Sequence, residues 1–143
     1  MMLNQISVFV ENKPGKLQQL TDVLAKNNIN MRALSLAEAS EFGIVRIIVE
    51  DIQAASQLLT EADYIHTVTD VIGVAIPDEP GGLNHVLAIL SKAGVNVEYM
   101  YAFANGADAS AVLKSDDPSK VVAILKENGF DVWEADEAYR ANC

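Results

Sequence analysis

The sequence of 143 residues predicts an α+β protein made of two ferredoxin-like βαββαβ units with antiparallel sheets. Three observations carry this. The motif Asn12-Lys13-Pro14-Gly15-Lys16-Leu17 is answered by Asp78-Glu79-Pro80-Gly81-Gly82-Leu83, an offset of 66 residues. The same offset relates Ile6, Val8 and Val10 to Ile72, Val74 and Ile76, Leu24 to Leu90, Asn30 to Asn96, Leu59 to Leu125 and Tyr64 to Phe130. Within each copy the apolar pattern switches between strand and helix periods in the same order. Register held without a gap marks a duplicated module, so residues 1–69 and 70–143 are expected as two domains.

Each element has its own signal. Ile6, Val8 and Val10 alternate with Gln5, Ser7 and Phe9, as a half-buried strand does. After the Pro-Gly turn, Leu17, Leu20, Val23 and Leu24 fall at helical spacing, as do Leu83, Val86, Ile89 and Leu90. Asn28 and its counterpart Gly94 both tolerate the left-handed conformation that ends helices. Ile29-Asn30-Met31 and Val95-Asn96-Val97 open second strands that run to about Ala39 and Ala104, and turns at 41–43 and 105–108 lead to third strands at 44–50 and 109–114. Second helices are expected at 52–62 and 118–128, with Pro118 in a first turn and Gly129 past an end, and last strands at 64–69 and 130–134. Only Asp70-Val71 joins the units. Helices on one sheet face leave another face carrying Phe9, Ala75 and either Ile44 and Ile48 or Val45 and Ile47, which is apolar enough to predict sheet packing in a homodimer.

Composition narrows the function. The net charge is −10, with five basic against eight acidic residues in 1–66 and five against twelve in 67–143. An acidic chain without a basic stripe argues against nucleic acid and anionic membrane as partners. No apolar run approaches the length of a membrane span, and Met1-Met2-Leu3-Asn4-Gln5 has no signal-like character, so a cytoplasmic protein is expected. The one cysteine, Cys143, excludes an internal disulfide and a cysteine metal cluster, and no cofactor is expected.

The strand-turn-helix junctions are the informative sites. Pro presets φ where a helix begins, Gly removes the side chain that would keep a ligand off the backbone, and first-turn N–H groups lack intrahelical partners. Such a junction receives a carboxylate, while Asn12 or Asp78 can cap those N–H groups or accept from an ammonium. A free amino acid carries both charges. The plainer reading of Asx-x-Pro-Gly is a turn and cap, but its duplication at one point of a repeated unit favours a ligand role.

On these residues, and on the Ile/Val-Asn-Met/Val opening of the second strands, both halves resemble ACT domains, at about residues 3–69 and 70–138. The resemblance implies paired domains joined side by side in one sheet, with an amino acid held between the first loop of one domain and the second strand of its partner. Carried over position by position, it points to Asn12, Pro14, Gly15 and Leu17 with Asn30, and to Asp78, Pro80, Gly81 and Leu83 with Asn96; Lys13, Glu79 and Gly82 join the candidates from the turns themselves. The turns differ, Lys13 and Lys16 against Asp78 and Glu79, so the sites are expected to be unequal; the second is favoured because Gly81-Gly82 opens more backbone.

Other candidates are weaker. Tyr99, in a row with Tyr101 and Phe103, can stack on a ligand, although such rows more often serve packing. Arg32 and Glu98 sit at matching positions and can pair across the units, or stand as exposed charges. His66 and His85 show no triad or metal spacing, and the acids Asp131, Glu134, Asp136 and Glu137 lack the pattern of a calcium loop. The expected function is a stand-alone regulatory sensor, not an enzyme, that binds a free amino acid effector at the interface between its two domains and acts on a partner enzyme in trans. The alternatives are an enzyme using His85 and Asp78 as an acid-base pair, or a pure protein-interaction module.

Overall fold

A computed structural model describes residues 3–38, 40–105 and 108–133. Ala39, Gly106, Ala107, Glu134, Asp136, Glu137 and Cys143, named above, lie outside the described residues. The elements run β1 (Leu3–Glu11), α1 (Lys16–Lys26), β2 (Met31–Glu38), β3 (Phe42–Val49), α2 (Ile52–Glu61), β4 (His66–Pro77), α3 (Gly82–Lys92), β5 (Tyr99–Asn105), β6 (Asp108–Lys114), α4 (Pro118–Glu127) and β7 (Val132–Trp133). Backbone proximity divides the chain into a first unit, Asn4–Thr69, and a second, Met1–Leu3 with Asp70–Cys143. The expected break at Asp70-Val71 does not interrupt the strand: β4 passes through it, since Thr67, Val68, Thr69, Val71 and Ile72 are β-branched and no Gly or Pro intervenes.

In the first unit β3 lies between β1 and β2 and is antiparallel to both, with Ile6 opposite Ile47 and Leu36 opposite Val45. The Phe9 N–H donates to the Ile65 carbonyl at 3.0 Å, on the other side of β1. In the second unit β6 lies between β4 and β5, and β7 pairs with β4 at Gly73 and Val74. These are the split βαβ arrangements that two βαββαβ units require.

Nine positions of the two cores correspond at the 66-residue offset, while Val49, also buried in the first, is answered by the buried Ser115. Ile6, Val8, Val10, Leu20, Leu24, Val45, Ile47, Ala55 and Leu59 fill the first. Ile72, Val74, Ile76, Val86, Leu90, Ala111, Leu113, Val121 and Leu125 fill the second. Volume lost from Leu20 to Val86 and from Val45 to Ala111 is partly regained from Ala55 to Val121, the compensated exchange that close-packed interiors tolerate. The alternation on β3 is now fixed. Val45 and Ile47 face the helices, whereas Phe42 and Ile44 share the opposite face with Phe9.

Every helix ends alike. Asn28, Asp63, Gly94 and Gly129 take φ of 59°, 63°, 74° and 80°. The following N–H then reaches back five residues, Ile29 to Leu24, Tyr64 to Leu59, Val95 to Leu90 and Phe130 to Leu125, at 2.8–3.0 Å. The second helices also start alike: an Asp51 carboxylate oxygen accepts from the Ala54 N–H at 3.0 Å, and Asp117 from that of Lys120 at 3.3 Å. Sequence reading named neither cap, although both have the residue type and spacing of one. Asp51→Ala is expected to cost about 1 kcal/mol in urea denaturation; an unchanged midpoint would show that the cap contributes nothing.

Candidate functional site

At each repeated turn the chain leaves a strand and must start a helix in the opposite direction. Gly15 and Gly81 make this reversal in the left-handed region, at φ 82° and 86°, and serve as N-cap residues. No side chain caps either helix, so Asn12 and Asp78 do not fill the capping role that sequence reading allowed them. The turn consumes one donor of its own: the Lys16 N–H reaches the Lys13 carbonyl at 3.3 Å, and that of Gly82 the Glu79 carbonyl at 3.1 Å.

Asn12, Lys13, Pro14 and Gly15 are exposed, as are Asp78, Glu79, Pro80 and Gly81. Gly82 is a correction. It is buried, and a Cβ there would stand 2.3 Å from the Pro77 carbonyl oxygen. Its missing side chain makes room for the chain itself and opens no backbone to a ligand. Leu17 packs against the first core, whereas Leu83 leaves 42% of its surface exposed.

A pocket of about 290 Å³ adjoins the first turn, lined by Val10, Glu11, Asn12, Lys13, Leu17, Leu36, Ala37, Glu38 and Gly43. The register explains how these meet. Gly43 lies opposite both Val10 and Glu38, so the end of β2 reaches the turn across a glycine. Asn30 precedes the other end of β2, whose seven steps from Met31 to Glu38 span about 23 Å. Within the first unit, therefore, Asn30 does not meet the Asn12–Leu17 turn. Asn96 and Tyr99 are likewise remote from the second unit's own turn: Tyr99 pairs with Lys114, while the turn follows Pro77, which pairs with Asp108 at the other end of β6. Sequence reading missed Leu36, Ala37 and Glu38. Only the strand register could have placed them.

The pocket rim is polarised. The Lys13 ammonium is 3.0 Å from the Glu11 carboxylate, and that of Lys16 is 3.9 Å away. Elsewhere Arg32 pairs with Glu50 and Glu98 with Lys114, each within its own unit. His85 stacks at a tilt on Phe130, 5.5 Å between ring centres, and so has a packing role. His66 is also no plain surface residue. Its Nδ1 donates to the Tyr64 carbonyl at 3.0 Å, which leaves Nε2 to accept from the Ser56 hydroxyl at 2.9 Å. The second unit has Val122 and Val132 at the matching positions, so the fold does not require this polar link. Among the described residues no group of three or more His, Cys, Asp or Glu is placed to hold a metal ion, and no helix is long and apolar enough to cross a membrane.

A family model described as an ACT domain pair matches residues 1–140. The chain belongs to the ACT domain pair family. This ACT pair is similar to the crystal structure of protein BT0572 from Bacteroides thetaiotaomicron, with TM-score 0.93 and 43% identity over 98% of this chain and 97% of that one. The regulatory subunit of aspartate kinase from Thermus thermophilus, in its ligand free form, gives TM-score 0.68 at 14% identity, over 90% of this chain and 94% of that one. Aspartate kinase from Synechocystis gives 0.60 at 21% identity, over 87% of this chain and 24% of that one. The latter two likenesses show a shared fold. Comparison with curated protein sequences gives no match.

The hydrogen bond and charge of Lys13, with the charge of Lys16, hold the Glu11 carboxyl below its ordinary value of 4.5. A carboxyl depressed on folding stabilises the folded state above its unfolded pKa, and that contribution is lost as pH falls through the folded value. The Glu11 contribution is thus intact at neutral pH and lost in acid. An NMR titration of its carboxyl carbon should give a midpoint below 4.5 that rises in Lys13→Ala; an unmoved midpoint would show the pair to be absent in solution.

Proposed function

We propose that this ACT pair is a sensor of a free amino acid, without catalysis of its own, that acts on a partner enzyme in trans. The observation that carries the reading is the pocket beside the first turn. It offers the Lys13 ammonium and an uncapped helix start to a carboxylate, the carboxylates of Glu11 and Glu38 to an ammonium, and Val10, Leu17 and Leu36 to a side chain. Asn12, Pro14 and Gly15 shape the approach. Family membership supports a regulatory role. Of the two turns we now favour the first, because Gly82 is closed by Pro77. For the second turn the proposed contacts are Asp78, Glu79, Pro80, Gly81 and Leu83; the parts of Asn30, Asn96 and Tyr99 are proposed only toward a turn other than their own.

A thermal-shift screen of the twenty amino acids tests the reading. One or a few should raise the melting temperature, with about 2.7 kcal/mol of added stability at a hundredfold excess over Kd. Lys13→Glu, at a site 67% exposed, should remove the shift and leave the ligand-free melting temperature nearly unchanged. A flat response to all twenty would refute the sensor.

We also propose that the protein works as a homodimer through the sheet face of the first unit that is turned from the helices. Phe9 and Phe42 lie on that face 41% and 49% exposed, beside Ile65 at 72%, an apolar cluster that water alone covers poorly. Sedimentation at micromolar concentration should give a dimer that Phe42→Asp converts to monomer; a monomeric parent protein would contradict this.

A further inference from the structure

We infer that the pocket beside the first turn selects an amino acid with an uncharged aliphatic side chain, and that the second unit lacks its equivalent, so each chain takes up one ligand. This rests on the reading that the chain binds a free amino acid.

The pocket separates charge from apolar wall. Its charged groups lie at the strand ends and the turn: Glu11 and Lys13 follow Val10, and Glu38 ends β2 opposite Gly43. Glu11 is paired with Lys13 and Lys16, so the ligand ammonium falls to Glu38, while the ligand carboxylate is drawn to the helix start and shares Lys13 with Glu11. That leaves the ligand side chain against Val10, Leu17 and Leu36. Leu36 lies opposite Val45, on the helix-facing side of the sheet, yet 53% of its surface is uncovered. An aliphatic group would cover it. A charged group there would give up hydration for a wall without a partner.

The twin shows what the scaffold alone requires. At the matching positions it has Ala102 for Leu36, Ala104 for Glu38 and Glu79 for Lys13. The apolar wall is cut back, the carboxylate at the end of the second strand is gone although Asp78 adds one at the turn, and the cation that attracts a carboxylate has become an anion that repels it. Most core positions, by contrast, stay apolar in both copies, Val49 against the buried Ser115 being an exception. The groups that would touch a ligand have thus changed in both charge and size.

Isothermal titration of the full chain with Leu, Ile, Val and Met, and separately with Lys, Asp and Ser, tests both parts. One site per chain is expected, with aliphatic side chains preferred by about tenfold or more. Leu36→Ala should weaken the aliphatic ligands by about tenfold and so flatten the preference. Glu38→Gln should weaken every amino acid alike and leave their order unchanged. Tightest binding of Lys or Asp, or an unaltered preference in Leu36→Ala, would overturn the side-chain class while leaving amino-acid binding intact. Two sites per chain would overturn the single-site claim. No binding by any amino acid would remove the reading beneath both.

Discussion

A glycine held at positive φ between a strand and a helix is the constraint on which the rest depends. Gly15 and Gly81 let the chain reverse within two residues of a proline, which lays α1 and α3 back across the strands they follow. The apolar stripes of those helices, Leu20 with Leu24 and Val86 with Leu90, then meet the inward residues of the sheet. The same reversal leaves each helix start without a side-chain cap. The scaffold requirement and the opportunity for a ligand are thus one feature, since a cap built from Asn12 or Asp78 would have satisfied the helix and closed the site.

The two units show how a duplicated module divides its labours. Positions that pack are mostly exchanged for other apolar residues, Val49 to Ser115 being an exception, and the volume changes partly offset one another. Positions that end helices alternate between Gly and the polar residues Asn and Asp, the types that bear left-handed backbone at least cost. The surface around the turns has meanwhile changed sign, Lys13 to Glu79 and Lys16 to Gly82. The second turn even turns its chemistry inward, because Gly82 is fitted against the Pro77 carbonyl where Lys16 in the first unit pairs outward with Glu11. Packing limits what evolution can vary here; the solvent side of the turn is free.

Much of the fold could be read from residues because it rests on local periodicity. Strand alternation at Ile6, Val8 and Val10, helical spacing at Leu20 and Leu24, and a left-handed residue at 28 or 94 each leave a mark within one turn or strand. What stayed hidden depends on register between distant segments. The alternation on β3 had two solutions until Ile6 was seen opposite Ile47, and Leu36 and Glu38 had no reason to be named until Gly43 placed the end of β2 beside the turn. Asn30, carried over as a contact to the turn of a partner domain, lies just before β2, at the end of that strand away from its own unit's turn. His66 shows the same limit from the other side: ten residues separate it from Ser56, and only the packing of α2 on the sheet closes the gap to 2.9 Å.

The position of the pocket also bears on how binding could be sensed. Its walls come from a turn and from the end of β2, and among the described residues β2 pairs with β3 alone, its register shift between Met31 and Ala33 lying at the end away from the pocket. Edge strands are held by fewer ladder bonds than central ones, so their movement costs less. A zwitterion held between Lys13 and Glu38 would connect the turn to that edge through charges on separate elements, and the connection would exist only with ligand present. A ligand shifts a conformational equilibrium only as far as it binds one arrangement better than another. An effector that spans the turn and the edge meets that condition by its geometry, because any arrangement that draws Glu38 away from Lys13 must give up one of its two charged contacts.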